Sequence, residues 1–472
     1  MAETTFDIKT MIKWGLALAS VALGAWVGMM QPPEGLSPQA MRAMGILIWA
    51  VGWWVTRIVP EYMTALMMCT LWVAFKTAKF TTAFSVFSTG AWWIMLAAFG
   101  MGAVATKVGL VKRIALWVLT LFPSSFNGQI VGLICAGTAV SPFIPSQTAK
   151  GAMSTPLAMA ISDTLGIERK TPPAAALLVA NFIGFNIMGH IFLSGSFSHY
   201  TLLNVLPPEY QNISWGNWLL WALPWGLTMA IGMAVALMFF YKPKEKLALP
   251  AGFAKQELKK LGAMGKTERS VMIIISLCLL FWVFEWLHGI SSSVVALTGL
   301  SALIGFNFLT TQDFRNGIDW PSMVLVGCVL NMAAVLKELK VDLYLSNVLQ
   351  GNVALLGGAA VVLLVTVVAL VYLIRFVFIN MTSLTSIMCL VLVPLILPMG
   401  YHPWIVLFVV YSSANVFLIP YMSTQYMAAQ GGVRWELAKH SDVFKGAVLF
   451  QVVALAGVVI SVPWWKMLGL LP

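Results

Sequence analysis

From Leu343 to Val433 this chain holds a single Asp, Glu, Lys or Arg, and that residue is Arg375. A stretch so poor in charge cannot build a surface that faces water. The same holds of the whole: 60% of the 472 residues are hydrophobic and 10% are charged, where a soluble domain carries about 25% charged residues. Lipid is therefore the solvent for most of the chain, and the length permits about a dozen helical spans. The first residues, Met1 to Lys13, are polar and lead into an apolar run that ends at Met30. That run is too long for a secretory signal and lacks its small-residue cleavage pattern, so it reads as the first span.

Further apolar segments fall at about 41–57, 61–76, 91–108, 130–144, 152–165, 174–203, 216–241, 271–287, 291–308, 321–337, 353–379, 386–399, 403–421 and 447–465. Two of them, 130–144 and 152–165, are short enough to be read as re-entrant rather than spanning. The large polar interruption runs from Lys242 to Ser270 and holds eight Lys or Arg against Glu245, Glu257 and Glu268. An excess of basic residues marks a loop as cytoplasmic. The net charge of +11 thus belongs to loops, without the basic, aromatic-interleaved surface that nucleic acid requires. Cys69, Cys135, Cys278, Cys328 and Cys389 lie dispersed in apolar runs, which makes them packing residues, neither a disulfide framework nor metal ligands.

The interruption divides two similar halves. "FTTAFSVFSTGAWWIMLAAFGMGAVATKVGL" from Phe80 aligns with "LTTQDFRNGIDWPSMVLVGCVLNMAAVLKEL" from Leu309, with Trp92 meeting Trp320 across one residue of gap. Farther on, "PSQT" (Pro145 to Thr148) is matched by "INMT" (Ile379 to Thr382) at nearly the same offset. An internal repeat with broken helices at corresponding positions points to the substrate site of a secondary transporter.

Each half carries a polar break. Ser141-Pro-Phe-Ile-Pro-Ser146-Gln147-Thr148-Ala-Lys150-Gly151 has two prolines and a glycine, so it cannot continue a straight helix. Irregular backbone at membrane depth survives where protein buries it or where it lines a polar cavity. A helix N-terminus there would offer partial positive charge to an anion. An ordinary interfacial loop is the competing reading of that stretch. In the second half, Asn380 to Ser386 is polar at five of seven positions inside an otherwise apolar run. Lys150 is the one charged residue between Ile114 and Ser162, as Arg375 is in its region. Charges at membrane depth cost about 2.5–3.5 kcal/mol each on insertion scales, so both are functional candidates, with snorkelling to an interface as the bland alternative. Two more breaks follow, "NIMGHIFLSGSFSHY" from Asn186 and "NVFLIPYMSTQYMAAQGG" from Asn415. His190 and His199 read as hydrogen-bonded interior histidines. Glu61 and Glu285 stand singly near span ends and read as structural. Motifs for metalloprotease, Walker A and dinucleotide chemistry are missing, so no enzyme is expected.

On "WWIMLAAFGMGAVATKVGL", "PFIPSQTAKGA", "FLSGS" and "FLIPYMSTQY", nearly the whole chain resembles the divalent anion/sodium symporter family of di- and tricarboxylate carriers. The resemblance implies two inverted repeats, each with a re-entrant hairpin tipped by Ser-Asn-Thr, working as an elevator within a homodimer. Ser146-Gln147-Thr148 is similar with Gln for Asn; Asn380-Met381-Thr382 departs further. Both departures fall where sodium-coupled members build their sodium sites. In family exchangers a basic residue follows the first motif, and Lys150 stands in that place.

The expectation is therefore an all-α polytopic protein of the inner membrane. A first repeat over 1–241 would hold a hairpin at about 127–165, a cytoplasmic linker would span 242–270, and a second repeat over 271–472 would hold a hairpin at about 353–397. Ser146, Gln147, Thr148, Asn380 and Thr382 would hydrogen-bond a small organic dianion, with Ser194, Ser196, Ser423 and Thr424 completing the cavity. Lys150 and Arg375 would stand in for sodium, and no cofactor, metal or nucleic acid is implied. Sodium-coupled symport, carriage of a sulfonate or sulfate, and an anion channel are the alternatives. The eight basic residues of the linker, with Lys9 and Lys13, predict that the linker and the N-terminus share the cytoplasmic side. A cysteine at Lys255 on a cysteine-free background should resist an impermeant thiol reagent in intact cells; labelling there would invert the orientation.

Overall fold

The computed structural model describes residues 8–243, 245, 247–250, 252–341, 343–344, 360–378 and 380–472. The opening residues 1–7, Lys244 and Lys246 of the linker, residues 353–359 of the second expected hairpin and Ile379 of its tip lie outside the described residues. Among the described residues the chain is all-α, without strands beyond one isolated bridge between Ser125 and Ala248. Seven of these helices are long and apolar enough to cross a membrane, and an eighth span results if the pair Gly90–Lys107 and Leu110–Leu119, bent by 69°, counts as one.

The helices that build the frame and the site are α1 (Ile8–Met29), α2 (Pro38–Thr56), α3 (Glu61–Ala74), α4 (Gly90–Lys107), α5 (Leu110–Leu119), α6 (Phe126–Val140), α7 (Gln147–Thr164), α8 (Pro172–Phe182), α9 (Phe197–Leu203) and α10 (Trp215–Phe240). The second half supplies α11 (Lys266–Val283), α12 (Ser292–Gly305), α13 (Trp320–Val329), α14 (Asn331–Glu338), α15 (Ala360–Ile374), α16 (Met381–Ile396), α17 (Trp404–Ser413), α18 (Thr424–Gly431) and α19 (His440–Met467). Local chemistry sets the ends that matter. Ser37 caps α2 by accepting from the Ala40 N–H, with Pro38 at the first helical position, where its fixed φ and missing N–H are harmless. At the far end Arg57 takes a left-handed conformation, φ 51°, and Pro60 follows, so the helix stops there. The chain restarts at once as α3, whose first residue is Glu61.

The halves exchange partners. α3 packs on α13, while α12, its counterpart in the second half, packs on α4, the counterpart of α13. Reciprocal contact of this kind is the signature of two copies related by a two-fold operation. It joins α2, α3, α4, α12 and α13 into a frame.

The rest forms a second group around two interrupted helices. α8 runs on through a wide turn at Ile183–Ile187 and tight turns at Met188–Ile191 and Leu193–Gly195 before α9. Single π-type turns of this sort gather at functional sites. α17 ends at Ser413, and its chain passes through Pro420–Met422 into α18. Every residue from Ala174 to Ile191 is buried, as is every residue of α17. A helix apolar all round belongs inside protein. Accordingly α8 lies against both α6 and α7, and α17 against both α15 and α16. The approach of α6 to the wide turn is as close as backbones allow. A Cβ on Gly137 would stand 2.1 Å from the Gly184 carbonyl carbon, and one on Gly184 would stand 2.4 Å from the Leu133 oxygen, so both positions require glycine.

Two boundaries differ from those read in the sequence. The segment 126–143 is by length able to cross, because Ser125 caps the helix by accepting from the Gly128 N–H and so extends it ahead of the apolar run. The linker is shorter than 242–270, since Phe253–Lys260 is helical and α11 already starts at Lys266. Arg113 of α5 fastens it, donating to Glu268 at 2.5 and 3.0 Å and to the Gly262 carbonyl at 3.0 Å. All five cysteines are free thiols, four of them buried and Cys135 half-buried.

Candidate functional site

Three helices begin at one place. Ser146 caps α7 by accepting from the Ala149 N–H at 3.3 Å, Asn380 caps α16 through Oδ1 and the Ser383 N–H at 2.8 Å, and Ser423 caps α18 through the Tyr426 N–H at 3.1 Å. Each cap satisfies one N–H of its helix; others of that first turn stay available, and the helix dipole adds partial positive charge. α7 and α16 follow the tips of the two hairpins, one from each half. α18 follows the second helix break.

A cavity of about 280 Å³ lies where they meet. Ser146, Gln147 and Thr148 from the first tip, Asn380, Met381 and Thr382 from the second, and Thr424 and Gln425 from α18 line one side, with Phe197, Ser198 and Tyr411. Arg57, Glu61, Asp319 and Ser322 of the frame line the other. Sites for drug-sized ligands run from about 300 to 1,000 Å³, so this one suits a small ligand. Bonds between the halves shape it: Ser198 Oγ and Thr382 Oγ1 are 3.1 Å apart, and Tyr411 OH contacts Ser196 Oγ at 3.0 Å and donates to Gln147 Oε1 at 3.5 Å. Gln147 Nε2 donates to the Asn186 carbonyl at 3.1 Å, and Asn186 Nδ2 returns a bond to the Gln147 carbonyl at 2.7 Å. Hydroxyls, amides and N–H groups converging from two symmetric tips can receive an anion with two acidic ends.

Of the residues expected from sequence, Ser146, Gln147, Thr148, Asn380, Thr382 and Thr424 come together in this wall. Ser196 and Ser423 stand one layer behind it, both buried, the first on Tyr411 and the second as the α18 cap. Ser194 does not belong to the site. The tight turn at Leu193–Gly195 directs it outward, where it donates to the Pro142 carbonyl and accepts from Trp215 Nε1, both at 3.0 Å. It ties the first hairpin to α10.

Lys150 and Arg375 are fully buried within the protein, and neither forms part of the cavity wall. Lys150 Nζ donates to the Gly195 carbonyl at 2.9 Å and to Ser141 Oγ at 3.3 Å. Arg375 donates to the Phe378 carbonyl at 2.9 Å and to the Met422 carbonyl. Gly195 and Met422 hold the same place in the two halves, each two residues before the helix that follows the break. Each hairpin thus inserts one cation onto the equivalent carbonyl of an unwound segment.

Sequence reasoning missed Arg57, Asp319, Ser322, Phe197, Ser198, Met381, Tyr411 and Gln425, and it read Glu61 as merely structural. Glu61 is in the cavity wall, 3.2 Å from Arg57 and accepting from Asn380 Nδ2. The available signal was Arg57-Ile-Val-Pro60-Glu61, a charged pair astride a proline between two apolar runs.

Residues 11–471 match the family described as the sodium:sulfate symporter transmembrane region. The chain belongs to the divalent anion/sodium symporter family. Inner membrane protein YbhI of Escherichia coli K12 is 25% identical over 476 residues, covering 96% of this chain and 98% of its own. Dicarboxylate transporter 2, chloroplastic, of Spinacia oleracea is 24% identical over 467 residues, covering 96% and 82%. The crystal structure of the Alcanivorax borkumensis YdaH transporter shares the fold, with a TM-score of 0.57 at 15% identity, over 99% of this chain and 100% of that one. This family member is a multi-pass inner-membrane transporter and not an enzyme. Replacing Ser146 or Thr382 with Ala should weaken anion binding tenfold to a hundredfold in folded protein, as losing one hydrogen bond to a charged group costs about 1.5–3 kcal/mol. Thermal-shift titration with dicarboxylates, sulfonates and sulfate checks this; unchanged affinity in both variants would place the site elsewhere.

Proposed function

We propose that this protein exchanges one small dicarboxylate for another across the inner membrane without sodium. The substrate class is supported by the relatives named dicarboxylate transporters and by a cavity with a hairpin tip from each half. In discontinuous-helix carriers, unwound backbone carbonyls are what coordinate the driving cation. Here the observation that carries the reading is that Lys150 and Arg375 already donate to those carbonyls, at Gly195 and Met422. The residue changes at the tips, Gln147 and Met381, point the same way.

The charge arithmetic follows. Two fixed cations offset one dianion, so the loaded carrier moves with little net charge. Without substrate the two cations would have to cross the membrane without the dianion, at about 2.5–3.5 kcal/mol each. The return of the empty carrier becomes the slow step, and exchange results. In this reading the hairpin group moves against the frame as an elevator, within a homodimer.

Proteoliposomes loaded with succinate should take up labelled succinate equally well in sodium and in choline, and empty ones should not. Lys150→Ala and Arg375→Ala should abolish exchange while remaining monodisperse. A sodium requirement in the wild type would support symport instead; normal exchange by both variants would remove the role of the cations; conductance without counter-substrate would indicate a channel.

A further inference from the structure

The frame side of the cavity contains something an anion site should avoid. Among the described residues its wall holds two carboxylates, Glu61 and Asp319, against one guanidinium, Arg57. A dianion entering this wall would meet net negative charge. One of the two carboxylates is committed elsewhere: Asp319 caps α13, accepting from the Ser322 N–H at 3.2 Å and from its hydroxyl at 2.5 Å. Glu61 has no such duty to its own helix. Its carboxylate spans the gap to the second hairpin, with Oε1 3.2 Å from Arg57 Nη2 and Oε2 accepting from Asn380 Nδ2.

Asn380 has one amide end to spare. Its Oδ1 is used in capping α16, so Nδ2 is the part that can face a ligand. Glu61 has taken that donor, at the N-terminus of a helix, beside the cation of the wall. A substrate carboxylate would choose the same set of partners. We propose that Glu61 is a tethered carboxylate that fills one substrate subsite in the empty carrier and gives it up on loading. The inference rests on the proposed function and deepens it.

The geometry makes the exchange of partners easy. The Arg57 and Glu61 side chains remain 32% and 22% exposed, and solvated ion pairs of this kind hold weakly. Arg57 itself is kept in the left-handed region, φ 51°, a conformation uncommon for a residue with a side chain and one that gathers at functional sites. Glu61 opens α3, which packs on α2 and α13 of the frame, whereas Asn380 belongs to the hairpin. The bond therefore fastens the hairpin group to the frame. When substrate takes Asn380 and Arg57, Glu61 gives up both partners and the tie between hairpin group and frame is released. Loading and release become one event, which is a second barrier to empty return beside the buried cations.

Isothermal titration of purified wild type, Glu61→Gln and Glu61→Ala with succinate, on monodisperse samples, tests the inference. If Glu61 competes with substrate, both variants bind succinate about tenfold more tightly than wild type, and Glu61→Ala decides alone if Glu61→Gln does not fold. A role confined to holding the loop before α3 would leave affinity unchanged or lower it, and that result overturns the inference while leaving dicarboxylate binding in place. Succinate binding by none of the three overturns the proposed function, and the inference with it.

Discussion

A helix that stops within a membrane leaves carbonyls and N–H groups that lipid cannot satisfy, at several kcal/mol for each group left bare. This chain stops two such helices, after Phe182 and after Ser413, and much of its architecture answers that problem. Both interrupted helices are enclosed by hairpin arms, the first buried from Ala174 to Ile191 and the second from Trp404 to Phe417. Ser423 caps the restart of the second. The carbonyls of Gly195 and Met422 are met by Lys150 and Arg375. A cation from a hairpin is a demanding solution, since it must itself be buried, but it makes the break and the charge compensate each other.

The same breaks hold the halves together. His190 of the first interruption faces Asn415 of the second, with Nε2 2.5 Å from the Asn415 side-chain nitrogen. Its ring stacks on Tyr411 at 5.0 Å between centroids, and Tyr411 presents its hydroxyl to the cavity. Ser198 and Thr382 close the contact from the other side. The cavity is therefore a product of the pseudo-symmetric meeting of two copies, and neither half contains a site by itself.

How much of this was legible follows from the range of each signal. The hairpin tips stood out because five polar residues in seven at Asn380–Ser386 have no reason to lie in an apolar run unless a cavity receives them. Lys150 and Arg375 stood out because each is alone. Those signals are local, and they located the hairpin side of the site. Ser194 and Ser196 share one motif, yet a tight turn sends them to opposite sides of the backbone, and unwound segments have no period from which to read that. Arg57, Glu61 and Asp319 were hidden for another reason: each sits at an ordinary helix boundary, where charge is expected. Their meaning arises from the packing of α3 on α13 across the halves, more than two hundred residues apart in sequence.

In the proposed exchange, two fixed side-chain cations do at the helix breaks what bound sodium does in coupled carriers. Titrating purified protein with succinate in choline chloride and again in sodium chloride at equal ionic strength tests it most directly. The account predicts the same Kd and the same stoichiometry in both salts. Binding that appears or tightens tenfold only when sodium is present would contradict it.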